Sequence, residues 1–551
     1  MMITPGGARL ESPPGASTPP LDLIVSPMRF RYHLVDTLPL LAWCARIPKG
    51  TGLIDVFHGP DVEIFPNSFA EGAWDGPFED GALAHAKVIA GTGAVLTSDS
   101  VHFTGSTDQL SPLFSIVHPE VVIVSNSPVF ALEVAGERLD PIYPFYTYDF
   151  LCIWRRGLYC PAGNLRTASL NPLRVHFSTI VAVDLAGRIS YSAHTHPGPP
   201  EDFAAYRSLL DEGVAKVLAN AAAPNRSAAY RPLAAISRGY DSTATAALAS
   251  RAGCREAFSF RDSKAADPTA DCGEENANRL GMACVIPDRW RYLELKGRAE
   301  PEFAMVAKAS QNPLAAMEDL LPGRVLVTGY FGDNIWDPRR SDFCSELSKP
   351  WIRTAGGLSQ LEFRLRTGYL LFAPAYIGAR HNHRIHSIAI SKDMLPWYIG
   401  GKYDRPLARR LGEEAGLLRD SFGIKKMYTA HSHISDETSF SPEAWLEYRN
   451  FLERSHSSVP WISYQSWRRL AQSRHFLWRN FGCRRYRYVP FSLWQRRLSF
   501  LLNAHPRLLP WDVMFTFQWA AGLLAPRYRF AHRMDHEPPA HLPQLNPFVS
   551  S

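Results

Sequence analysis

The sequence predicts an α/β protein whose first part is strand-rich and whose second part alternates strands with helices. Three observations lead there. Residues 28–198 carry short apolar runs, VVIV at 121–124 and TIVAVDL at 179–185, between turn clusters such as TGSTDQ and VSNSP, with little helical periodicity. From Pro232 onward, short buried strands are each followed by a helix, the pattern of a parallel sheet. Between the two parts, HPGPPED at 196–202 is a Pro/Gly-rich boundary.

Each element has a local reason. Residues 1–27 open on MMITPGGARLESPPGASTPP, which has no apolar core and reads as a disordered Pro/Gly/Ser leader, not a secretory signal. The stretch TIVAVDLAGRISYS places Ala-Gly between two apolar runs and predicts a hairpin. Phe203, Tyr206, Leu209, Leu210, Val214, Val217 and Leu218 recur every three or four residues and predict an amphipathic helix. Strands are expected at 233–236, 257–260, 283–286, 324–327 and 385–390, with helices from the first strand to Gly253 and over 274–280.

Composition narrows the class. A chain of 551 residues predicts two or three domains, and 46% hydrophobic with 20% charged residues excludes global disorder. The longest apolar run, 513–526, has 14 residues and contains Gln518, too short to span a bilayer. Eight cysteines without a CxxC pair predict reduced thiols, and a cytoplasmic enzyme fits best. Residues 451–551 hold 14 Arg, no Lys and 4 acidic residues, a local +10 in a chain of net +6. Within it, CRRYRYVPFSLWQRRLSF at 483–500 interleaves Arg with aromatics. Such a segment reads first as a helical appendage packed on the rest. Contact with an anionic membrane surface comes second, and nucleic acid third.

The chemistry concentrates at 236–243, ISRGYDST. A strand ends, a Gly-containing loop follows, and a helix begins at once, so backbone N–H groups at the helix start attract an anion. Ser237, Ser242 and Thr243 add hydroxyls, and Arg238 adds a forked cation. Asp241 makes sense there as a Mg²⁺ ligand, or simply as the helix N-cap. A second stretch, VLVTGYFGDNIW at 325–336, is again a strand, a Gly-containing turn and an acid, Asp333. Three His-x-His pairs (194/196, 381/383, 431/433) raise a metal site, against which solvated loop histidines are the simpler reading.

These stretches resemble the asparagine synthetase-like members of the ATP pyrophosphatase superfamily. Ser237, Gly239, Asp241 and Ser242 match the pyrophosphate loop Ser-Gly-Gly-x-Asp-Ser, with Arg238 for the first Gly. Thr328, Gly329 and Asp333 match Leu-Ser-Gly-x-Gly-Ala-Asp-Glu-Leu, with Phe331 for Gly and Asn334 for Glu. Residues 108–131 and 402–426 are similar to further stretches of that family.

The resemblance implies a degenerate glutaminase-like (Ntn-type) α+β sandwich at 28–198 and a parallel-sheet ATP-binding domain with helices on both faces at 199–435. A helical basic extension at 436–551 would follow. It implies an ATP-dependent ligase that adenylates a small-molecule or peptide carboxylate and joins it to an amine. ATP would lie on Ser237, Arg238, Gly239, Asp241, Ser242 and Thr243, and Mg²⁺ on Asp241 and Asp333. Lys426 or Lys425 would stabilise the transition state. The family's glutaminase nucleophile is a Cys at position 2; here position 2 is Met and the first Cys is Cys44, so glutamine hydrolysis is not expected. Two rival readings stay open: a non-catalytic binding or scaffold protein that kept the fold, and another pyrophosphate-loop enzyme, such as one modifying tRNA.

Overall fold

The structure is a computed structural model that describes residues 27–456 and 515–530, interrupted at 142, 144–145, 296–298, 306–308, 342, 349–356, 402, 426–431 and 434–439. It is a mixed α/β architecture with several sheets, one of them wholly parallel.

The first part forms strands β1 Arg29–Leu34, β2 Trp43–Pro48, β3 Leu53–His58, β4 Glu63–Ile64, β5 Ser68–Trp74, β6 Ile89–Leu96 and β7 Ser100–Thr104. They continue as β8 Leu113–Val117, β9 Val121–Ser125, β10 Cys160–Leu165, β11 Leu173–Phe177, β12 Thr179–Asp184 and β13 Ile189–Ala193. One sheet has the order β1-β3-β2-β9-β8-β11-β10 and the other β13-β12-β7-β6-β5-β4. Alternate residues of the two sheets meet in one dry layer: Trp43 of β2 packs on Phe69 of β5 (4.9 Å between centroids) and on Phe103 of β7 (5.9 Å). The expected hairpin is β12–β13, closed where the Asp184 carboxylate accepts the Arg188 N–H at 2.9 Å and Gly187 takes φ 74°.

Two helices in this part escaped the periodicity reading: α1 Pro128–Ala135 and α2 Tyr146–Trp154. Both are two-turn elements with little polar contrast around them, so no stripe marks them. The Ser127 hydroxyl caps α1 by accepting the Phe130 N–H at 3.1 Å, and Gly136 ends it at φ 70°. The boundary helix appears as α3 Phe203–Ala221, capped by Asp202, and packs on β5.

Beyond it lie β14 Arg231–Ala235, α4 Tyr240–Arg251, β15 Glu256–Phe258, α5 Glu274–Arg279, β16 Ala283–Val285 and α6 Glu300–Ala304. The short β17 Ala309–Ser310, β18 Arg324–Val327, α7 Gly332–Ile335, α8 Leu361–Thr367, β19 Leu370–Phe372, α9 Asn382–Ala389 and α10 Pro406–Glu413 follow. The five-stranded sheet has the order β16-β15-β14-β18-β19, every pair parallel, with Leu233 opposite Leu326 and Leu326 opposite Leu371. The expected fifth strand at 385–390 is a correction. That stretch lies in α9, where Ile385, Ile388 and Ala389 share the buried face at three- and four-residue spacing. The fifth strand is β19, three fully buried residues and too short to show a period.

The last described elements are β20 Ser432–His433, which pairs with β17, α11 Pro442–His456 and α12 Thr516–Leu524. Phe517 and Trp519 of α12 are 0% and 1% exposed, stacked against Tyr146 and set edge-on to Tyr448. Within the 513–526 run, protein thus covers Phe517 and Trp519 of α12. The Arg-rich stretch at 483–500 lies outside the described residues. No helix among the described residues is long and apolar enough to cross a membrane.

The two parts share a buried ion pair. Arg364 of α8 donates to both oxygens of Glu71 on β5 at 2.7 and 2.8 Å, and both side chains are at most 1% exposed. Thr92 and Asn126 also donate to Oε1 of the same carboxylate.

Candidate functional site

The carboxyl ends of β14 and β18 lie side by side at the middle of the parallel sheet, where open α/β sheets bind ligands. β14 runs into residues 236–239 and then into α4. The N-cap of α4 is Gly239, with no side-chain capping bond, and Asp241 stands in the first turn. Asp241 is thus not the cap, and one of its two readings falls away. The loop is tied internally: the Ser237 hydroxyl accepts the Gly239 N–H at 2.9 Å and lies 2.8 Å from the Ser242 hydroxyl, and Thr243 donates to the Ser237 carbonyl at 2.8 Å.

Three segments hold this loop from outside. Asp271 accepts the Arg238 N–H at 3.2 Å through its backbone, while a Cβ on Gly273 would stand 2.8 Å from the Ser237 nitrogen. The Gly423 N–H donates to the Arg238 carbonyl at 2.7 Å; Gly423 has φ 70°, and a Cβ there would enter the Tyr240 ring at 2.3 Å. On the third side, a Cβ on Gly329 would stand 2.4 Å from the Ser242 nitrogen, and one on Gly332 would stand 2.8 Å from Asp241 Oδ1. The turn after β18 therefore lies directly on the first turn of α4, which brings Asp333, next to Gly332, beside Asp241.

The substituted positions behave differently from one another. Arg238 is half exposed, with its guanidinium 3.9 Å from Glu275. Losing the expected Gly here costs the loop backbone nothing visible. Phe331 has φ 70°, the left-handed region, and its ring stacks on Tyr376 at 4.5 Å and 14°. Asn334 donates to Asp333 Oδ1 at 2.9 Å and accepts from Arg340. Lys425 is exposed two residues beyond Gly423, whereas Lys426 lies outside the described residues.

Sequence reasoning missed the centre of the charge cluster, Arg405. It immediately precedes α10, is 3% exposed, and sets Nε 3.5 Å from Asp241 Oδ1 and Nη1 3.3 Å from Asp337 Oδ2. Burial works against its charge, but the fields of Asp241, Asp333 and Asp337 more than offset that, so its pKa rises. Burial likewise pushes the Asp337 carboxyl up, yet hydrogen bonds from Arg339 and the Arg405 charge hold it below the usual carboxylate range. Arg405 is placed by its neighbours. The Asp404 carboxylate gathers the N–H groups of Ile399, Gly400 and Gly401 at 2.8–3.0 Å, and the fully buried Arg409 donates to the Tyr240 hydroxyl at 2.6 Å. The sequence marked only the surrounding stretch 402–426 as family-like and Pro406 as a helix start, and neither singles out Arg405.

No group of three or more His, Cys, Asp or Glu side chains among the described residues could hold an ion by itself; of the histidine pairs, 431/433 lies outside the residues whose side chains are described. The solvated-loop reading also fails for His194, which is 4% exposed; burial first, then His196 and Arg380, lower its pKa to about 3. Cys44 is fully buried in β2, and burial raises its thiol pKa. No family model matches the chain, and no curated protein matches it.

Proposed function

We propose that the chain is an asparagine synthetase-like, ATP-dependent ligase that adenylates a carboxylate and forms an amide with ammonia or a substrate amine. The observation that carries this reading is the placement of Asp241 and Asp333 on two abutting first turns at the carboxyl ends of adjacent parallel strands. The two-sheet part would be the glutaminase-like scaffold and the five-stranded part the ATP pyrophosphatase domain, with a helical extension docked through α12. Burial raises the pKa of the Cys44 thiol, so Cys44 is not an activated nucleophile for glutamine hydrolysis, and ammonia or a substrate amine is the nucleophile proposed.

Two carboxylates are hard oxygen donors, and Mg²⁺ commonly binds one or two carboxylates together with substrate phosphates. The donor set therefore fits an ion carried by the nucleotide better than one caged by protein alone. Bound there, Mg²⁺ would supply charge neutralisation for the departing pyrophosphate. The loop's N–H groups and the Ser237 and Ser242 hydroxyls would hold the phosphate oxygens, while buried Thr243, its hydroxyl on the Ser237 carbonyl, would brace the loop. A carboxylate oxygen of the substrate attacks the α-phosphorus as the bond to pyrophosphate breaks. The amine nitrogen then attacks the carbonyl carbon, loses a proton, and AMP leaves. Lys425 or Lys426 would face the charge that develops on these oxygens.

Thermal unfolding with and without ATP and Mg²⁺ tests the reading. Ligand at about 100 times its dissociation constant adds about 2.7 kcal/mol to stability. A rise in Tm with ATP and Mg²⁺ together, lost in Asp241→Asn, is expected. Indifference of the wild-type protein to ATP, AMP and pyrophosphate alike would leave the scaffold reading standing.

A further inference from the structure

The Arg405 side chain is buried, 3% exposed, yet among the described residues neither Nε nor Nη1 has a hydrogen-bond partner. Its approaches to Asp241 and Asp337, 3.5 and 3.3 Å, are well beyond the distance of roughly 2.8 Å typical of a charge-assisted hydrogen bond. A buried guanidinium with unmade N–H bonds is costly, and the cost is tolerated where a ligand completes it. One of the two carboxylates, Asp241, is also proposed to hold a divalent cation, so Arg405 and that cation compete for one oxygen, Asp241 Oδ1.

We infer that Arg405 is a pyrophosphate-contacting residue, held by Asp241 and Asp337 in the free protein and turned to the phosphate oxygens when a divalent cation takes Asp241. The inference rests on the nucleotide reading above and adds a residue to it. Without phosphate, two cations share one carboxylate and repel, so Arg405 weakens metal binding. With pyrophosphate between them, both cations face an anion and Arg405 strengthens binding. Its forked donor set suits two phosphate oxygens at once, which a lysine cannot reproduce. A neighbour that merely braced the fold would weaken both kinds of binding together; Arg405 moves them in opposite directions.

Calorimetric titration of the full chain with Mn²⁺ alone, and with pyrophosphate in excess Mg²⁺, reads both signs. Arg405→Gln should bind Mn²⁺ alone several-fold tighter and Mg²⁺–pyrophosphate about tenfold or more weaker. Arg405→Lys, which keeps the charge, should resemble wild type with Mn²⁺ but lose pyrophosphate affinity, and it carries the test where the Gln variant does not fold. Wild type that binds no pyrophosphate overturns the nucleotide reading and this inference together. Wild type that binds it, with variants binding equally well or losing both affinities in parallel, overturns the role of Arg405 alone.

Discussion

Phe331 sits in left-handed backbone at φ 70° with its ring stacked on Tyr376, 4.5 Å between centroids. The resemblance expects glycine here, and the backbone keeps the conformation glycine favours. What offsets the strain is burial: Phe331 is 7% exposed, and its stack bridges the turn carrying Asp333 to the segment after β19. Phe331→Gly should relieve about 1 kcal/mol of backbone strain and lose about 3–5 kcal/mol of ring burial, for a net destabilisation of about 2–4 kcal/mol. Phe331→Ala loses the ring and keeps the strain, so it should be less stable than the Gly variant by about 1 kcal/mol. Urea unfolding ranks the three, and an Ala variant as stable as the Gly variant would refute the strain.

Gly332 and Gly329 should differ in what they damage. A methyl on Gly332 meets Asp241 at 2.8 Å, both at Oδ1, which can swing, and at Cβ, which needs a small backbone shift, whereas one on Gly329 meets backbone alone at 2.4 Å. Gly332→Ala should keep the fold and weaken Mg²⁺–ATP binding by about tenfold, because it displaces a proposed ligand. Gly329→Ala should lower stability by about 1–3 kcal/mol whether or not nucleotide is present. Paired melting and titration curves separate them; unchanged nucleotide affinity in Gly332→Ala would detach Asp241 from the ligand.

Asp241→Asn and Asp333→Asn should each leave the far-ultraviolet circular dichroism unchanged while abolishing Mg²⁺–ATP binding or turnover. Either variant retaining full ATP-dependent activity would remove that residue from the metal role.

What could be read in the sequence follows from how local each signal is. β14 and β18 were legible because three or four apolar residues end abruptly at Gly-containing turns, and α3 because its stripe repeats over five turns. β19 was not, since three residues cannot show a period, and neither were α1 and α2, whose mean apolarity hides any stripe. Asp241 and Asp333 stood out because each follows a strand within a few residues. Arg405 and Asp337 did not, because their meaning is a meeting of segments distant in sequence.

The Glu71–Arg364 pair joins the sandwich to the parallel-sheet region, and its burial gives a specific signature. Arg364→Met should cost about 3–5 kcal/mol by leaving Glu71 charged and unpaired, while Arg364→Met with Glu71→Gln should recover part of that loss. Chemical denaturation of the four proteins in the cycle measures the coupling. Additive losses would mean that the two side chains contribute independently and do not lock the two regions together.

Glu362 supplies a pH test of how the C-terminal segment docks. Its carboxylate accepts from the Ser127 hydroxyl at 2.6 Å and from the Tyr528 hydroxyl, so one side chain ties α1 and α8 to the residues after α12. Burial dominates and raises its pKa from 4.5 to about 7, against the hydrogen bonds from Ser127 and Tyr528 and the nearby Arg527 charge. A carboxyl with a raised pKa keeps its proton in the folded state while the unfolded chain has lost it. Stability from this group is therefore full below about pH 4.5, falls as pH rises towards 7, and is level above that. His176 and His194, lowered to about 4 and about 3, act in the opposite sense below about pH 6.5, so the total pH dependence of the wild type does not isolate Glu362. Glu362→Gln does, because glutamine cannot ionise and the histidines are common to both proteins. The variant's stability relative to wild type should increase between pH 4.5 and 8, by on the order of 2 kcal/mol. Guanidinium unfolding at pH 4.5, 6 and 8 measures it, and a constant difference across the three would show that Glu362 has the same charge in the folded and unfolded chain.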